Sequence, residues 1–513
     1  MNRVFGTLVA IAVVSSLGCG GEEAIAPPPA APAPPPPSAP PAPSPVDTSA
    51  SVAPPPPQKQ LMSITTTSAD AKAAYLQGWD LLFSGHGEEA LDQCKKAQTL
   101  DPTFALAHAC VGSMTPGAGG QAENDKALDL AAKLPDAERL EIEAQAAYRH
   151  VDRAKGDAAM KKLASLAADD FRVQEQYGLT LVENRDFDGA LAAFRKALEA
   201  NPAAYPVDGL ISFVLGLQGK YDEAVVAAQK FATGEPNEGG AHQTLGGALL
   251  SANKPKEAEA ELTKALDLAP KVRQVYYDLA TAKSINGDYA GALDVLEKSK
   301  ATETLPAHGL DRVNVVAWTL VAQGKAAEAS KLLDATEKDI DARKLVWPAR
   351  AAQIRAWISI VQDKPADALK AVSGAAGRCD RAESAEGYKV QCRQDMLAIQ
   401  AQAQLFAKKA ADAQKAAAKL RDETSPGHAD EWSRLRASVL SDEADALAKK
   451  DAKAPAAILA NTPPDALLLK LGIMRLAQAL GDKATADQIK TDLLARPRND
   501  ETYAAIAHAV GKK

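Results

Sequence analysis

The stretch FRVQEQYGLTLVENRDFDGALAAFRKALEANP, residues 171–202, decides the fold. Its small, small, large, small, proline order is Gly178, Ala190, Phe194, Ala197 and Pro202. The steps of four and then three residues from Ala190 through Phe194 to Ala197 place these three side chains on one face of a helix. Proline cannot continue a helix, so it ends the unit. The stretch therefore predicts two helices joined by a turn, with a small residue where they touch.

The same order recurs in three further full copies. They are Gly78, Ala90, Cys94, Ala97 and Pro102; Ser212, Ala224, Ala228, Phe231 and Pro236; and Gly246, Ala258, Leu262, Ala265 and Pro270. From residue 171 onward the copies are displaced by 34 residues, and glycine ends the first helix at turns such as Gln218-Gly219-Lys220. No such unit can bury its apolar stripe alone, so neighbouring units must stack.

This pattern resembles the tetratricopeptide repeat family, whose period is about 34 residues. The resemblance implies an all-α fold, a right-handed α-solenoid of tandem antiparallel helix pairs, with roughly eleven to thirteen pairs. It is close over 71–102 and 171–300 and loose elsewhere. We therefore predict a well-matched array over 68–300 and degenerate TPR-like helical repeats over 301–513, with a glycine-rich loop inserted at 117–120.

Residues 1–18 are predicted to be an export signal. Arg3 supplies a positive start, and Val4–Leu17 is an uncharged, mostly apolar run too short to span a membrane. The residues around Cys19 resemble a bacterial lipobox, which predicts lipidation of Cys19; an ordinary cleaved signal is the alternative. Gly20 stands where a resemblance to inner-membrane lipoproteins would require aspartate. We expect an envelope protein of the outer membrane facing the periplasm, with the cell surface as an alternative.

Residues 19–67 are predicted to be the lipidated N-terminus and a disordered tether. Between residues 27 and 57 lie 16 of the 32 prolines, and Asp47 is the only charge there. Such a segment favours extended polyproline II, which at about 3.1 Å per residue reaches on the order of 100 Å. A spacer is the leading interpretation, and a proline-rich peptide ligand is the alternative.

Four cysteines remain after Cys19, and an even set in an exported chain favours disulfides. We predict bridges Cys94–Cys110 and Cys379–Cys392. The alternative is four buried thiols that pack as small hydrophobes. Zinc is not expected, because no CxxC pair or nearby histidine completes a tetrahedral set.

No residue set predicts catalysis, so we expect a protein that is not an enzyme and that needs no cofactor, metal or small-molecule substrate. The seven histidines are scattered, and neither a GxSxG elbow nor a phosphate loop occurs. A net charge of -7 without a basic cluster argues against nucleic acid. Carboxylates are assigned to solvated helical faces.

A large aromatic residue follows the small residue of the first helix in several units. These residues are Trp79, Phe213, Trp318 and Trp357. In the resembled family the first helices line the concave side, so this stripe is a candidate groove for an apolar peptide or helix. Plain core packing is the alternative.

Chaperone-binding members of that family would use Lys and Asn on neighbouring first helices to clamp a carboxylate. Here the corresponding positions hold Glu175, Leu179, Gly209 and Phe213, so no clamp is expected.

The leading functional hypothesis is a lipid-anchored scaffold or assembly adaptor that binds a protein in the concave groove. A glycan- or peptidoglycan-associated positioning factor is one alternative. A hydrolase hidden within residues 380–513 is the other.

Overall fold

The computed structural model describes residues 62–511 except 84–86, 116, 151, 304–305, 346, 382–385, 425–430, 465, 496–499 and 501. The predicted signal, the lipidation site at Cys19 and the tether up to residue 61 lie outside the described residues. Within these limits the regular structure is helical, with 25 α-helices, two short 3-10 turns and no strand.

The first fourteen helices are α1 Ala69–Phe83, α2 Gly87–Leu100, α3 Ala105–Met114, α4 Gly117–Ala131, α5 Asp136–Arg149, α6 Arg153–Leu166, α7 Phe171–Glu183, α8 Phe187–Ala200, α9 Tyr205–Leu217, α10 Tyr221–Gly234, α11 Gly239–Ser251, α12 Pro255–Leu268, α13 Arg273–Ile285 and α14 Tyr289–Lys298. The remaining eleven are α15 Pro306–Ala322, α16 Ala326–Arg343, α17 Arg350–Val361, α18 Pro365–Ala375, α19 Glu386–Phe406, α20 Ala410–Glu423, α21 Glu431–Lys449, α22 Ala454–Ala460, α23 Leu467–Leu480, α24 Lys483–Ala495 and α25 Tyr503–Gly511.

Helices α1 to α24 form twelve consecutive pairs, in which each helix packs on the next. The prediction of an all-α solenoid built from tandem helix pairs is confirmed. The twelve pairs, counted over the described ranges, fall inside the number that the repeat period predicts. Helix α25 follows them, and the described part of the chain holds no second helix that pairs with it.

The two helices of a pair touch where the sequence has its small residue. A Cβ atom built on Gly178 would lie 2.3 Å from the Phe194 ring, and one built on Gly246 would lie 2.5 Å from Leu262. Real Cβ atoms do not approach so closely, so a larger residue would push the helices apart. This is the contact that the twelve- and sixteen-residue spacings predict.

Curvature follows from which helices meet between pairs. The first helices of neighbouring pairs contact each other, as α9 does α11 and α13 does α15, whereas the second helices of neighbouring pairs make little contact. The first helices therefore lie on the inside of the curve, and we call their shared side the inner face. The Arg185 guanidinium lies 5.7 Å from the centre of the Trp432 ring, so the fourth pair meets the eleventh. The superhelix thus returns on itself after seven pairs.

A polar side chain in the first turn of several first helices ties one pair to the preceding pair. It donates a hydrogen bond to the carbonyl of the proline that ends the previous unit. The donor–acceptor pairs are His108–Pro102, His242–Pro236 and Tyr276–Pro270, at 3.0, 3.0 and 2.9 Å. These bonds satisfy backbone carbonyls of the turns that connect one pair to the next. They give the scattered histidines His108 and His242 a structural role.

The predicted glycine-rich loop at 117–120 is wrong, because α4 begins at Gly117. A Cβ atom on Gly120 would lie 1.9 Å from the Thr115 carbonyl oxygen. Glycine is therefore needed there for the close approach of α4 to the end of α3, and not for a flexible connection.

The predicted boundary of the tether at residue 67 is also wrong. Residues 62–67, which we call the N-terminal strap, bind three carboxylates that stand at successive junctions between pairs. The backbone bonds are Met62 N to Asp170 Oδ2 at 2.6 Å, Thr65 N to Glu138 Oε2 at 2.9 Å and Thr67 N to Asp101 Oδ2 at 3.1 Å. Met62 and Ile64 also pack against the cores of the first pairs. The folded part therefore includes residues 62–67.

Candidate protein-interaction surface

The predicted aromatic stripe is wrong for two of its four residues. Trp79 and Trp318 are only 6% and 3% exposed and belong to hydrophobic cores. Trp79 lies edge-on to Tyr75, with 6.2 Å between ring centres. These indoles pack between helices, as the core-packing alternative states. They do not line an open groove.

Phe213 and Trp357 are partly buried. Phe213, on the inner-face helix α9, packs at the margin of the core that α7 to α10 share. Trp357 packs against two neighbouring cores at once. The four aromatics therefore form no continuous strip, and Phe213 is the one that remains near the inner face of the regular repeats.

The inner face of the seventh to ninth pairs carries a helix that the sequence pattern did not reveal. Helix α25 packs against α13, α15 and α17, all of them first helices, as well as against its predecessor α24. Its residues Tyr503, Ile506 and Val510 are 5%, 0% and 4% exposed. They belong to one hydrophobic core with Leu310 and Val313 of α15. Helix α25 thus lies on the concave side of the chain's own repeats.

The sequence of α25 explains why it packs there. Tyr503, Ile506 and Val510 follow one another at i, i+3 and i+7, which places them on one face of a helix. Alanines fill most of the positions between them, so the helix can approach its neighbours closely. The spacing could have suggested an amphipathic terminal helix, although nothing in it identifies α13, α15 and α17 as its neighbours.

The inner face of the first pairs is filled by buried carboxylates, contrary to the assignment of carboxylates to solvated surfaces. Glu138, Glu141 and Glu175 are 0%, 1% and 3% exposed. Burial raises the pKa of Glu141 and of Glu175 to about 8. Tyr75 of α1 donates a hydrogen bond to Glu141 Oε1 at 3.2 Å. These groups link α1 to α5 and close this part of the inner face.

A similar buried glutamate lies in the C-terminal repeats. Glu443 of α21 is 0% exposed, and burial raises its pKa to about 8. Gln402 Nε2 of α19 donates to Glu443 Oε2 at 3.4 Å. A Cβ atom on Gly472 would lie 2.2 Å from Gln402 Nε2, so α23 packs directly on this polar pair.

A cavity of about 220 Å³ lies between α17, α19, α21 and α23. The Arg475 guanidinium stacks 4.6 Å from the centre of the Phe406 ring at its wall and pairs with Asp363. Lys408 lines the opening. The guanidinium therefore already has a carboxylate partner inside this molecule, and the cavity offers no nucleophile or acid–base pair.

Both predicted cysteine pairs are joined in the structure. Cys94 of α2 is bonded to Cys110 of α3, and Cys379 to Cys392 of α19, with Cα–Cα distances of 6.0 and 5.5 Å. The first bridge therefore links neighbouring pairs. Oxidation of these thiols in the exported protein remains a prediction.

Catalytic and metal chemistry find no candidate among the described side chains. No group of three or more histidine, cysteine, aspartate or glutamate residues could hold a metal ion there. In the same ranges, no helix combines the length and the apolar character that crossing a bilayer requires. What the arrangement offers is a curved surface of first helices that can hold another helix.

The fold and this surface define a helical-hairpin repeat protein. Residues 171–203 match the model of the tetratricopeptide repeat family, so the chain contains a repeat of this family at the stretch that decides the fold. The comparison with curated proteins gave no match.

Several solved structures are similar to parts of the chain. One is MamA from Desulfovibrio magneticus RS-1, at 20% identity over 34% of this chain and 97% of that chain, with a TM-score of 0.30. Another is YrrB, described as a TPR protein with an unusual peptide-binding site, at 22% identity over 36% and 92%, with a TM-score of 0.27. A third is a tetratricopeptide repeat protein from Parabacteroides merdae ATCC 43184, at 14% identity over 53% and 93%, with a TM-score of 0.34.

Proposed function

We propose that the protein is a non-enzymatic scaffold that binds a segment of another protein on the inner face of its helix pairs. The observation that supports this most directly is the position of α25. An apolar helix from a distant part of the chain already packs on first helices α13, α15 and α17. A surface that buries one helix by apolar contact has the chemistry for helix-in-groove recognition.

We further propose that the scaffold is exported and anchored by lipid on Cys19 to the outer membrane, on the periplasmic side. The apolar run before Cys19 supports export, and the paired cysteines fit an oxidising compartment. The proline-rich spacer would hold the repeats on the order of 100 Å from the lipid. The glycan-binding and hydrolase alternatives have no supporting observation among the described residues.

The binding function can be tested by crosslinking in intact cells. The photo-reactive residue p-benzoylphenylalanine replaces Phe213, an aromatic for an aromatic on the inner-face helix α9. The control carries it at Val226, which is 60% exposed on the second helix α10. We expect a defined crosslinked protein from position 213 and none from position 226. Equal crosslinking from both positions, or none from either, would contradict the proposal.

The anchor has its own test. A Cys19→Ser variant should lose labelling by a palmitate analogue and move from the membrane fraction to the soluble fraction. A Cys94→Ser/Cys110→Ser variant serves as the control and should keep the label. Unchanged labelling of Cys19→Ser would show that Cys19 is not the modified residue.

A further inference from the structure

Helix α25 differs from every other described helix in its contacts. Each of the 24 helices before it belongs to a pair and packs on its sequence neighbour. Within the described residues helix α25 has no such second helix, and it packs on three first helices that lie more than 140 residues earlier in the chain. It therefore sits on the superhelix as a bound segment does, and not as a repeat.

The surface beneath α25 is a built apolar groove. Leu310, Val313 and Ala317 of α15 are 5%, 8% and 0% exposed, and they share one core with Ile506 and Val510. The large side chains of α25 stand at i, i+3 and i+7, and small alanines surround them. The groove thus selects a narrow helix with an aromatic residue followed by two aliphatic residues at that spacing.

The helix is short and belongs to none of the twelve pairs. It contains nine residues, and each helix before it already has its own partner in a pair. Helices this short are marginal in water on their own, so its helical form depends on the groove. An element held by one patch opens more readily than the repeats beneath it.

We propose that the groove of α13, α15 and α17 is the site at which this scaffold binds its partner, and that α25 occupies it until a partner helix displaces it. The inference rests on the proposed scaffold function and names the partner's chemistry. The ligand is an alanine-rich helix of a different protein. It carries an aromatic residue at position i and aliphatic residues at positions i+3 and i+7. Attachment in the same chain gives α25 a high effective concentration, which would keep weak competitors out.

The test uses the full-length protein and a fluorescent peptide with the sequence of residues 500–513. Ile506→Asp places a charge at the fully buried position of α25 and should release the helix from the groove. By fluorescence anisotropy we expect this variant to bind the peptide at least tenfold more tightly than the unchanged protein. The control Val226→Asp makes a comparable change on an exposed outer helix and should bind as the unchanged protein does. No gain in Ile506→Asp with an unchanged circular dichroism spectrum would overturn the proposal.

A second measurement covers the case in which Ile506→Asp misfolds. In the unchanged protein, the amide hydrogens of α25 should exchange at least tenfold faster than those of α15. The opening of α25 should leave the exchange rates of the other helices unchanged. Equal protection of α25 and α15 would make α25 an integral part of the core and would end the proposal.

Light scattering decides whether the groove binds a different protein or α25 of a second copy of this chain. The unchanged protein should stay monomeric at micromolar concentration. A dimer that exchanges α25 between copies would overturn the assignment to a different protein. The crosslink at position 213 does not depend on α25. The groove proposal and the proposed scaffold function can therefore fail separately.

Discussion

The regular pairs α7 to α14 and the later helices α15 to α25 use the same hairpin but pack differently. In the regular part, one core runs from Leu179 to Ala227 and the next from Ala228 to Val315. In the later part, a large core draws its residues from Leu310 to Val510, and a smaller core between Ala349 and Ala403 lies beside it. There α19 contacts α23 as well as α21, and α25 returns to α15. Where the 34-residue order weakens, neighbours that are not adjacent in sequence come into contact.

This difference predicts two kinds of stability. Units that touch only their neighbours contribute to stability in a nearly one-dimensional way and open locally. The large core of the later part joins helices that are far apart in sequence, and Trp357 packs against both of its cores, so we expect α15 to α24 to unfold together. The substitutions below test this contrast, beginning with the largest expected effect.

Trp318→Ala should destabilise the later half by about 3–5 kcal/mol, because it empties a buried position in the shared core. Hydrogen exchange should rise across α15 to α24 together. Phe213→Ala, at a partly buried position of the regular part, should cost about 1–2 kcal/mol, with the rise limited to α7–α10. Urea titration gives the free energies of unfolding. A local response to Trp318→Ala would remove the contrast between the two halves.

Replacing Cys379 and Cys392 together by serine should lower the free energy of unfolding by about 2–4 kcal/mol, because the bridge closes a short loop against the start of α19. The matched pair Cys94→Ser/Cys110→Ser should cost a similar amount but loosen only the first pairs. Chemical denaturation measures the cost, and intact mass on reduction should rise by four hydrogens in the unchanged exported protein. No mass change would mean that the four cysteines are thiols.

The buried glutamates predict that stability falls as the pH rises. The pKa of Glu175 is about 8 in the folded chain against an ordinary value of 4.5, so the folded state keeps a proton that the unfolded chain loses. Between these values the unfolded state binds fewer protons, and the free energy of unfolding therefore decreases with pH. Glu175→Gln should flatten this slope in the regular part, and Glu443→Gln should do so in the later part.

The measurement is the melting temperature at pH 5 and pH 8. Glu223→Gln, at an exposed site on α10, should leave the difference between the two temperatures unchanged. If Glu175→Gln and Glu223→Gln behave alike, the carboxyl group of Glu175 is ionised in the folded protein.

Asp101→Asn should have the smallest effect, about 1–2 kcal/mol, because it weakens the bonds that Thr66 and Thr67 make to one carboxylate. Those bonds hold the pKa of Asp101 below its ordinary value, so their contribution is present near neutral pH and is lost as the pH falls below about 4. Limited proteolysis should cut the strap faster in the variant. Asp222→Asn, on an exposed part of α10, is the control.

The sequence predicts the pairs well because each is a local event. The small residue, the apolar face and the terminating proline of 171–202 act within one unit, and repetition at 34 residues extends the result. The position of α25 could not be predicted in this way, because it depends on curvature accumulated over several pairs. Trp318 illustrates the same limit: its place in the repeat indicates a concave surface, yet a helix almost two hundred residues later helps to enclose the core around it.

The burial of Glu141 and Glu175 was missed for a related reason. Their sequence positions resemble those of solvated carboxylates, and only the packing of neighbouring pairs removes water from them. Tyr75, more than sixty residues earlier in the chain, is a neighbour of Glu141 that no local pattern contains.

The strap also determines where a pull on the N-terminus would enter the molecule. Its first described residue, Met62, is fastened to Asp170 at the junction of α6 and α7, although the chain continues from there to α1. Tension along an anchored spacer would therefore act first on the junction of the third and fourth pairs. The first pair, α1 and α2, would carry little of that force.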